Sequence, residues 1–209
     1  MTPEELAARH PRLFHLTLPS NLPGIERHGL LPASALMTRH GINLHRTRRP
    51  TALPLHDPVH GTATLNDQSP MTERALAGCL DDGLSPADWL TLLNGRVFFW
   101  ADENGLATLL GARANRNRSV AVLVVTTLAF ARSYGAQIEL SAINSGATIR
   151  RPTRRGLATF TPMLRHPHAE WRRLRGGRDT VREVTVPAGV PDVMRFVTEV
   201  RRIGDPIPP

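Results

Sequence analysis

Phe14-His15-Leu16-Thr17 runs almost directly into Ser20-Asn21-Leu22-Pro23-Gly24-Ile25 and then Gly29-Leu30. No other stretch constrains the fold as tightly, because it sets a strand, a turn and a helix in immediate succession. Ser20 reads as the helix N-cap, and Pro23 suits a first turn, where no intrahelical N–H is lost. Leu22 and Ile25 make one helix side apolar, and Gly29 supplies a stop. His15 and Thr17, two apart on a strand, share a face. A half-buried strand histidine is by default structural, so its role depends on what the rest of the chain brings to it.

The 209 residues, 41% hydrophobic, suit one α+β domain over 1–209 with a flexible tail at 204–209. No apolar run approaches the ~18 residues of a membrane span. The acidic start, Met1-Thr2-Pro3-Glu4-Glu5, is unlike a secretory leader and reads as a capping box, with Thr2 as N-cap and Glu5 at N3. A lone Cys79 excludes an internal disulfide and a cysteine-rich zinc site, so a cytoplasmic setting is expected. All 26 basic residues are arginine, and the formal charge is +8. Without lysine there is no Schiff base, no Walker A lysine and no lysine general base, which removes P-loop NTPases, protein kinases and class I aldolases. Arginine forks suit phosphates, so a nucleic acid or a dinucleotide is a natural partner.

Residues 31–70, dotted with proline, read as a long irregular segment carrying Arg46, Arg48, Arg49 and the histidines 45, 56 and 60. Helices are expected at about 72–80 and at 86–94, the second capped by Ser85 with Pro86 at N1. Arg96–Trp100 is a strand, and a helix runs from Asp102-Glu103 to about Arg113. Val120–Thr126 is a near-continuous apolar run, expected as a central strand buried on both faces. Residues 131–167 read as a second irregular stretch. Val181–Val186 and Phe196–Ile203 form a closing strand pair. His56 and His60 are four apart, but Pro58 forbids a helix between them, and no metal site is expected. No Gly-x-Gly-x-x-Gly fingerprint is present, which argues against a Rossmann mode of holding NAD.

The His-x-Thr, Asn-Leu-x-x-Ile, Gly pattern at 15–29 resembles the opening of DarT-type DNA ADP-ribosyltransferase toxins. Arg182-Glu183-Val184-Thr185-Val186, then Val190-Pro191 and Phe196-Val197 to Val200, is similar to the end of those enzymes. The resemblance implies an ADP-ribosyltransferase-like α+β fold, two small packed sheets, mainly antiparallel, with flanking helices around an NAD cleft. It places the catalytic carboxylate at Glu183 and the catalytic arginine at Arg49, with Arg48 and Arg46 as alternatives. His15, Thr17, Asn21, Phe99 and Arg48 would hold NAD, the co-substrate, with Phe99 as the wall for nicotinamide. Asn144, Arg150 and Arg151 would face the acceptor, a nucleic-acid base with DNA preferred to RNA. Arginines around 150–155 and 172–175 would contact phosphates. A monomer is expected, with an antitoxin or an ADP-ribose hydrolase as the kind of partner such toxins have. Leu93-Asn94-Gly95-Arg96-Val97-Phe98-Phe99-Trp100 and Ile143-Asn144-Ser145-Gly146-Ala147-Thr148 also resemble signatures of an uncharacterised bacterial group.

These residue types fit the chemistry. Cleaving the N-glycosidic bond of NAD develops an oxocarbenium-like ribose, which a carboxylate stabilises while orienting a hydroxyl. Glu139, in Gln137-Ile138-Glu139, competes with Glu183 for that role, because such a pair marks the active site in another branch of ADP-ribosyltransferases. Two other functions remain open on sequence alone. One is an RNA 2′-phosphotransferase-like enzyme, in which Glu183 is dispensable. The other is a non-catalytic domain that binds nucleic acid or a partner.

Overall fold

A computed structural model describes residues 1–111, 118–149, 152–178 and 180–204. Helix α1 (Pro3–Arg9) has the expected Thr2/Glu5 capping box. It leads into β1 (Arg12–Thr17), a 3₁₀ turn, α2 (Leu22–His28) and α3 (Ala33–Arg39). A hairpin follows, β2 (Leu53–Asp57) and β3 (Gly61–Leu65), then α4 (Glu73–Ala77), α5 (Pro86–Asn94) and β4 (Arg96–Trp100). The second half holds α6 (Glu103–Leu110), β5 (Val120–Thr126), α7 (Thr127–Tyr134), β6 (Glu139–Ser141), β7 (Thr161–Pro162), α8 (His168–Leu174), β8 (Glu183–Pro187) and β9 (Val197–Ile203). No helix among the described residues is long and apolar enough to cross a membrane.

The class is α+β. In place of two small sheets there is one seven-stranded antiparallel sheet, ordered β7-β6-β8-β4-β1-β5-β9, and the separate β2–β3 hairpin. One face carries Leu13, Val97, Phe99, Leu123, Val125 and Val184, packed on Leu6, Ile25, Phe130 and Trp171 from the helices. On the other face Phe14, Val122 and Val124 pack on Leu106 of α6. Further along that face Phe98 meets a cluster built on Trp89, Leu90 and Phe160. β5 is therefore buried on both faces as its composition requires, although it lies next to the edge strand and not at the centre.

The sheet is not uniformly laddered. β1 pairs with β5 over its whole length, and β4 with β8 likewise, yet β1 and β4 meet only at Phe14 and Trp100. Beyond that pair the strands part. The His15 ring reaches into the gap, and its Nδ1–H donates to the Phe98 carbonyl at 2.8 Å, supplying a partner that a backbone ladder would otherwise give.

Several expectations give way to packing. Residues 31–70 contain α3 and the hairpin, where Pro54 is tolerated because β2 pairs on one side only. Residues 131–167 contain most of α7's C-terminal half, β6 and β7, too short to show periodicity. The two closing strands are not neighbours: β8 sits between β6 and β4, and β9 takes the far edge beside β5. Ser20 lies in the 3₁₀ turn, and Asn21 holds the N-cap position of α2. The end of the helix expected to reach Arg113, and the tail from 205, lie outside the described residues.

Gly29 ends α2 at φ +71°, and a Cβ there would overlap the carbonyl oxygens of Val190 and Pro191. That close approach lets Leu30 and Val190 exchange two backbone hydrogen bonds, of 2.9 and 2.8 Å, tying the opening helix to the segment after β8. Gly29→Ala is expected to lower stability by about 2–4 kcal/mol in urea unfolding. Gly24→Ala, in the same helix with nothing nearer than the Thr62 carbonyl at 4.0 Å, serves as the tolerated control. Equal urea midpoints for the two variants would refute this assignment.

Candidate functional site

Where β1 and β4 part, two adjoining cavities open, an outer one of about 360 Å³ and an inner one of about 290 Å³. Arg49, Asp67, Arg96, Phe98 and Trp100 line both, so the two form one continuous cleft. α3 and the hairpin cover the outer part, with Leu36, Thr62, Ala63 and Thr64 in its lining. The combined space lies in the size range of small-molecule sites.

His15 lines the outer cavity. Because Phe98 O only accepts, Nδ1 must carry the proton, and burial holds the imidazole below its ordinary pKa. The ring is then neutral at pH 7, and its Nε2 lone pair is an acceptor suited to a hydroxyl. Thr17 and Asn21 also line this cavity, but they are committed to structure. The Asn21 amide donates to Thr17 Oγ1 (3.1 Å) and the Thr64 carbonyl (2.9 Å) and accepts from the Thr64 N–H (2.8 Å). This clasps the hairpin to the start of α2 and uses both N–H groups of the Asn21 amide within the fold, leaving neither to donate to NAD.

Of the three candidate arginines, the structure brings only Arg49 to the cleft. Arg46 pairs with Asp88 at 3.0 Å on the exposed side of α5, and Arg48 lines neither cavity. Arg49 Nε donates to Asn66 O (3.1 Å) and Nη1 to Asn94 Oδ1 (2.8 Å), which leaves three of the five guanidinium N–H groups for a ligand. Burial lowers its pKa to about 10, partly countered by Asp67, so the group stays charged at neutral pH.

Glu183 begins β8 and lines the inner cavity. It is 4% exposed. Its Oε1 accepts the Ser145 N–H at 3.1 Å, while Oε2 has no hydrogen-bond partner among the described residues. Burial pushes the carboxyl up to about 7 against the opposing pull of Ser145 and Arg155. Glu139 is different: its carboxylate pairs with Arg96 Nε at 2.8 Å, and it lines neither cavity. Between the two glutamates, only Glu183 lines the cleft and holds a buried oxygen without a partner among the described residues.

Phe99 lines the inner cavity, as its expected place beside the ligand requires, but not the outer one. Its ring is fully buried against Phe130, 5.1 Å away, within the core face. Strand alternation turns Phe98 and Trp100 the other way, and these are the rings that line both cavities. The same alternation separates His15 from Glu183. Phe14 is paired with Trp100 and Trp100 with Glu183, so Glu183 shares a face with Phe14, and His15 lies on the opposite one. The two line different cavities, His15 the outer and Glu183 the inner, which have Arg49, Asp67, Arg96, Phe98 and Trp100 in common.

Asn144 is exposed at the lip of the inner cavity, whereas Arg150 and Arg151 lie outside the described residues. The other arginines expected on phosphates are largely engaged. Arg154 pairs with Asp81, Arg172 bonds the Gly177 carbonyl, Arg173 pairs with Glu170, and Arg175 stacks on Trp171. Arg155 is buried. Among the described residues no three His, Cys, Asp or Glu side chains gather as a metal site.

Sequence reasoning did not single out Asn94, which holds Arg49, or Ser145, which holds Glu183. Both lie inside the two signatures quoted above, and those signatures were the available signal. The sequence profile of one family matches residues 11–197. The chain belongs to DUF7002, a family of unknown function. The DUF7002 match takes in His15, Arg49, Asn94, Ser145 and Glu183, and so the whole cleft. No curated protein and no solved structure matches the chain.

The Glu183 environment generates a pH test. A folded-state pKa raised from 4.5 to about 7 means the native state holds this proton more tightly than the unfolded chain does. The contribution is complete below the unfolded value and is lost as pH rises through about 7, on the order of 3 kcal/mol in all. Glu183→Gln keeps an acceptor for Ser145 and cannot ionise. Its stability advantage over wild type should therefore grow between pH 5 and pH 8 in urea titrations, and a difference independent of pH would refute the assignment.

Proposed function

We propose that this DUF7002 protein is an NAD-dependent mono-ADP-ribosyltransferase that modifies a nucleic-acid base, DNA in preference to RNA, and releases nicotinamide. The observation that carries this reading is Glu183: a buried carboxyl with one oxygen fixed by a backbone N–H and the other unpartnered, in a cleft that also holds Arg49. When ionised, such a group orients a ribose hydroxyl and stabilises the cation formed as the glycosidic bond breaks. Arg49 supplies a fork for the pyrophosphate. Neutral His15 accepts from a ribose hydroxyl through Nε2, and Phe98 or Trp100 offers a ring face to nicotinamide. The acceptor nucleophile attacks the ribose carbon, nicotinamide departs with the bonding electrons, and the acceptor's proton goes to solvent. The arginine-only basic content supports a polyanionic acceptor, and the resemblance to DarT-type enzymes supports DNA.

The decisive experiment incubates labelled NAD with separate pools of DNA, RNA and protein. Wild type is expected to label nucleic acid, DNA above RNA, and Glu183→Gln to lower the rate by about 10²–10³-fold. Because ionised Glu183 is the active form, the rate should climb as pH rises through about 7. Arg49→Ala is expected to weaken NAD binding by about ten- to a hundredfold, the equivalent of one or two charge-assisted hydrogen bonds. Nicotinamide release that survives Glu183→Gln but needs Arg49 would favour the 2′-phosphotransferase chemistry. Absence of both NAD binding and label in every pool would overturn the proposal.

A further inference from the structure

We propose that Arg155 is the positioning residue for the Glu183 carboxyl, acting through the backbone of Ser145. Arg155 is 2% exposed, with no ion pair among the described residues. Its Nη1 donates to the Ser145 carbonyl at 2.8 Å, and the N–H of that same residue donates to Glu183 Oε1 at 3.1 Å. Both backbone groups of Ser145 are thereby fixed, one by the guanidinium and one by the carboxyl.

The arginine is itself rigidly held. Its backbone N–H donates to Cys79 O at 2.9 Å, its carbonyl accepts from Asp81 N–H at 2.8 Å, and its Nε donates to Thr153 O at 3.0 Å. Trp89, fully buried on α5, donates from Nε1 to the same Ser145 carbonyl at 3.4 Å. The loop before Thr148 is thus anchored from below, and its far side presents the amide that fixes the carboxyl. A buried guanidinium without a carboxylate partner is costly if it only fills space. Here its field also favours the ionised form of Glu183, and the two groups influence each other's protonation in opposite senses. The charged groups that line the inner cavity with Glu183 are Arg49, Arg96 and Asp67, and Arg155, which does not line it, is the cation whose field acts on the carboxyl.

The functional consequence rests on Glu183 being the reacting carboxylate, but the geometry can be read without any turnover. The test uses full-length protein with ¹³C-labelled glutamate, Glu183 being assigned by its loss in Glu183→Gln, together with amide hydrogen exchange at Ser145. Arg155→Met removes the charge and the fork. It is expected to raise the Glu183 midpoint by about half a unit or more and to speed Ser145 exchange about tenfold relative to core amides such as Val184. Arg155→Lys keeps the charge and loses the fork. Its midpoint should stay near wild type while Ser145 exchange still accelerates. Unaltered midpoint and exchange in Arg155→Met overturn the proposal. If that variant does not fold, unaltered Ser145 exchange in Arg155→Lys overturns it equally. Movement of both readouts in a protein that proves inactive on NAD would uphold the positioning role and refute the transferase reading alone.

Discussion

β1 and β4 hold together at one residue pair and then part, and the whole cleft depends on that opening. A split in an antiparallel sheet leaves backbone polar groups without ladder partners, and such groups cannot stay buried and unbonded. The split persists because each half is anchored elsewhere, β1 along all of β5 and β4 along all of β8. His15 closes the account by bonding the Phe98 carbonyl. Asn21 then ties the covering hairpin to the helix that follows β1, pairing with Thr64 through both of its amide atoms as a strand would. Two of the residues that looked like ligand contacts are therefore parts of the frame that makes a cleft exist.

Within that frame the charged groups are held by neutral partners. Arg49 leans on the Asn94 side chain and the Asn66 carbonyl, and Glu183 on the Ser145 amide. Neither forms an ion pair among the described residues, and burial moves both pKa values toward the uncharged form, Arg49 to about 10 and Glu183 to about 7. A buried carboxyl and a half-buried guanidinium, both incompletely compensated, weaken the fold, and such groups concentrate at sites where a ligand completes the set. Glu139 shows the contrast. It lies one strand away from Glu183 with its charge fully matched by Arg96, which also rests on the Phe160 ring at 4.4 Å.

Much of the local structure was legible because it follows from near-neighbour chemistry. The capping box at Thr2, the N-cap at Ser85, the strand at Arg96–Trp100 and the doubly buried strand at Val120–Thr126 all form where their residues dictate. The hairpin was not legible, since Pro54 and Pro58 mask its alternation and its apolar partners, Met37 and Leu36, come from α3. The rings that reach both cavities, Phe98 and Trp100, were missed for a related reason. In a strand of three consecutive aromatics, composition says that some rings face a pocket, but only the register against β8 says which.

The sequence by itself determined the α+β class, most element positions and the chemical repertoire, because capping, β-branching, and the absence of lysine act locally or additively. It also brought forward Glu183, Arg49 and His15 from motif order. Only the tertiary structure decided which arginine and which glutamate reach the cleft, and that His15 and Glu183 lie on opposite faces of one sheet. Those outcomes depend on strand order and register, in which residues far apart in the chain become neighbours through long-range pairing that no local pattern encodes.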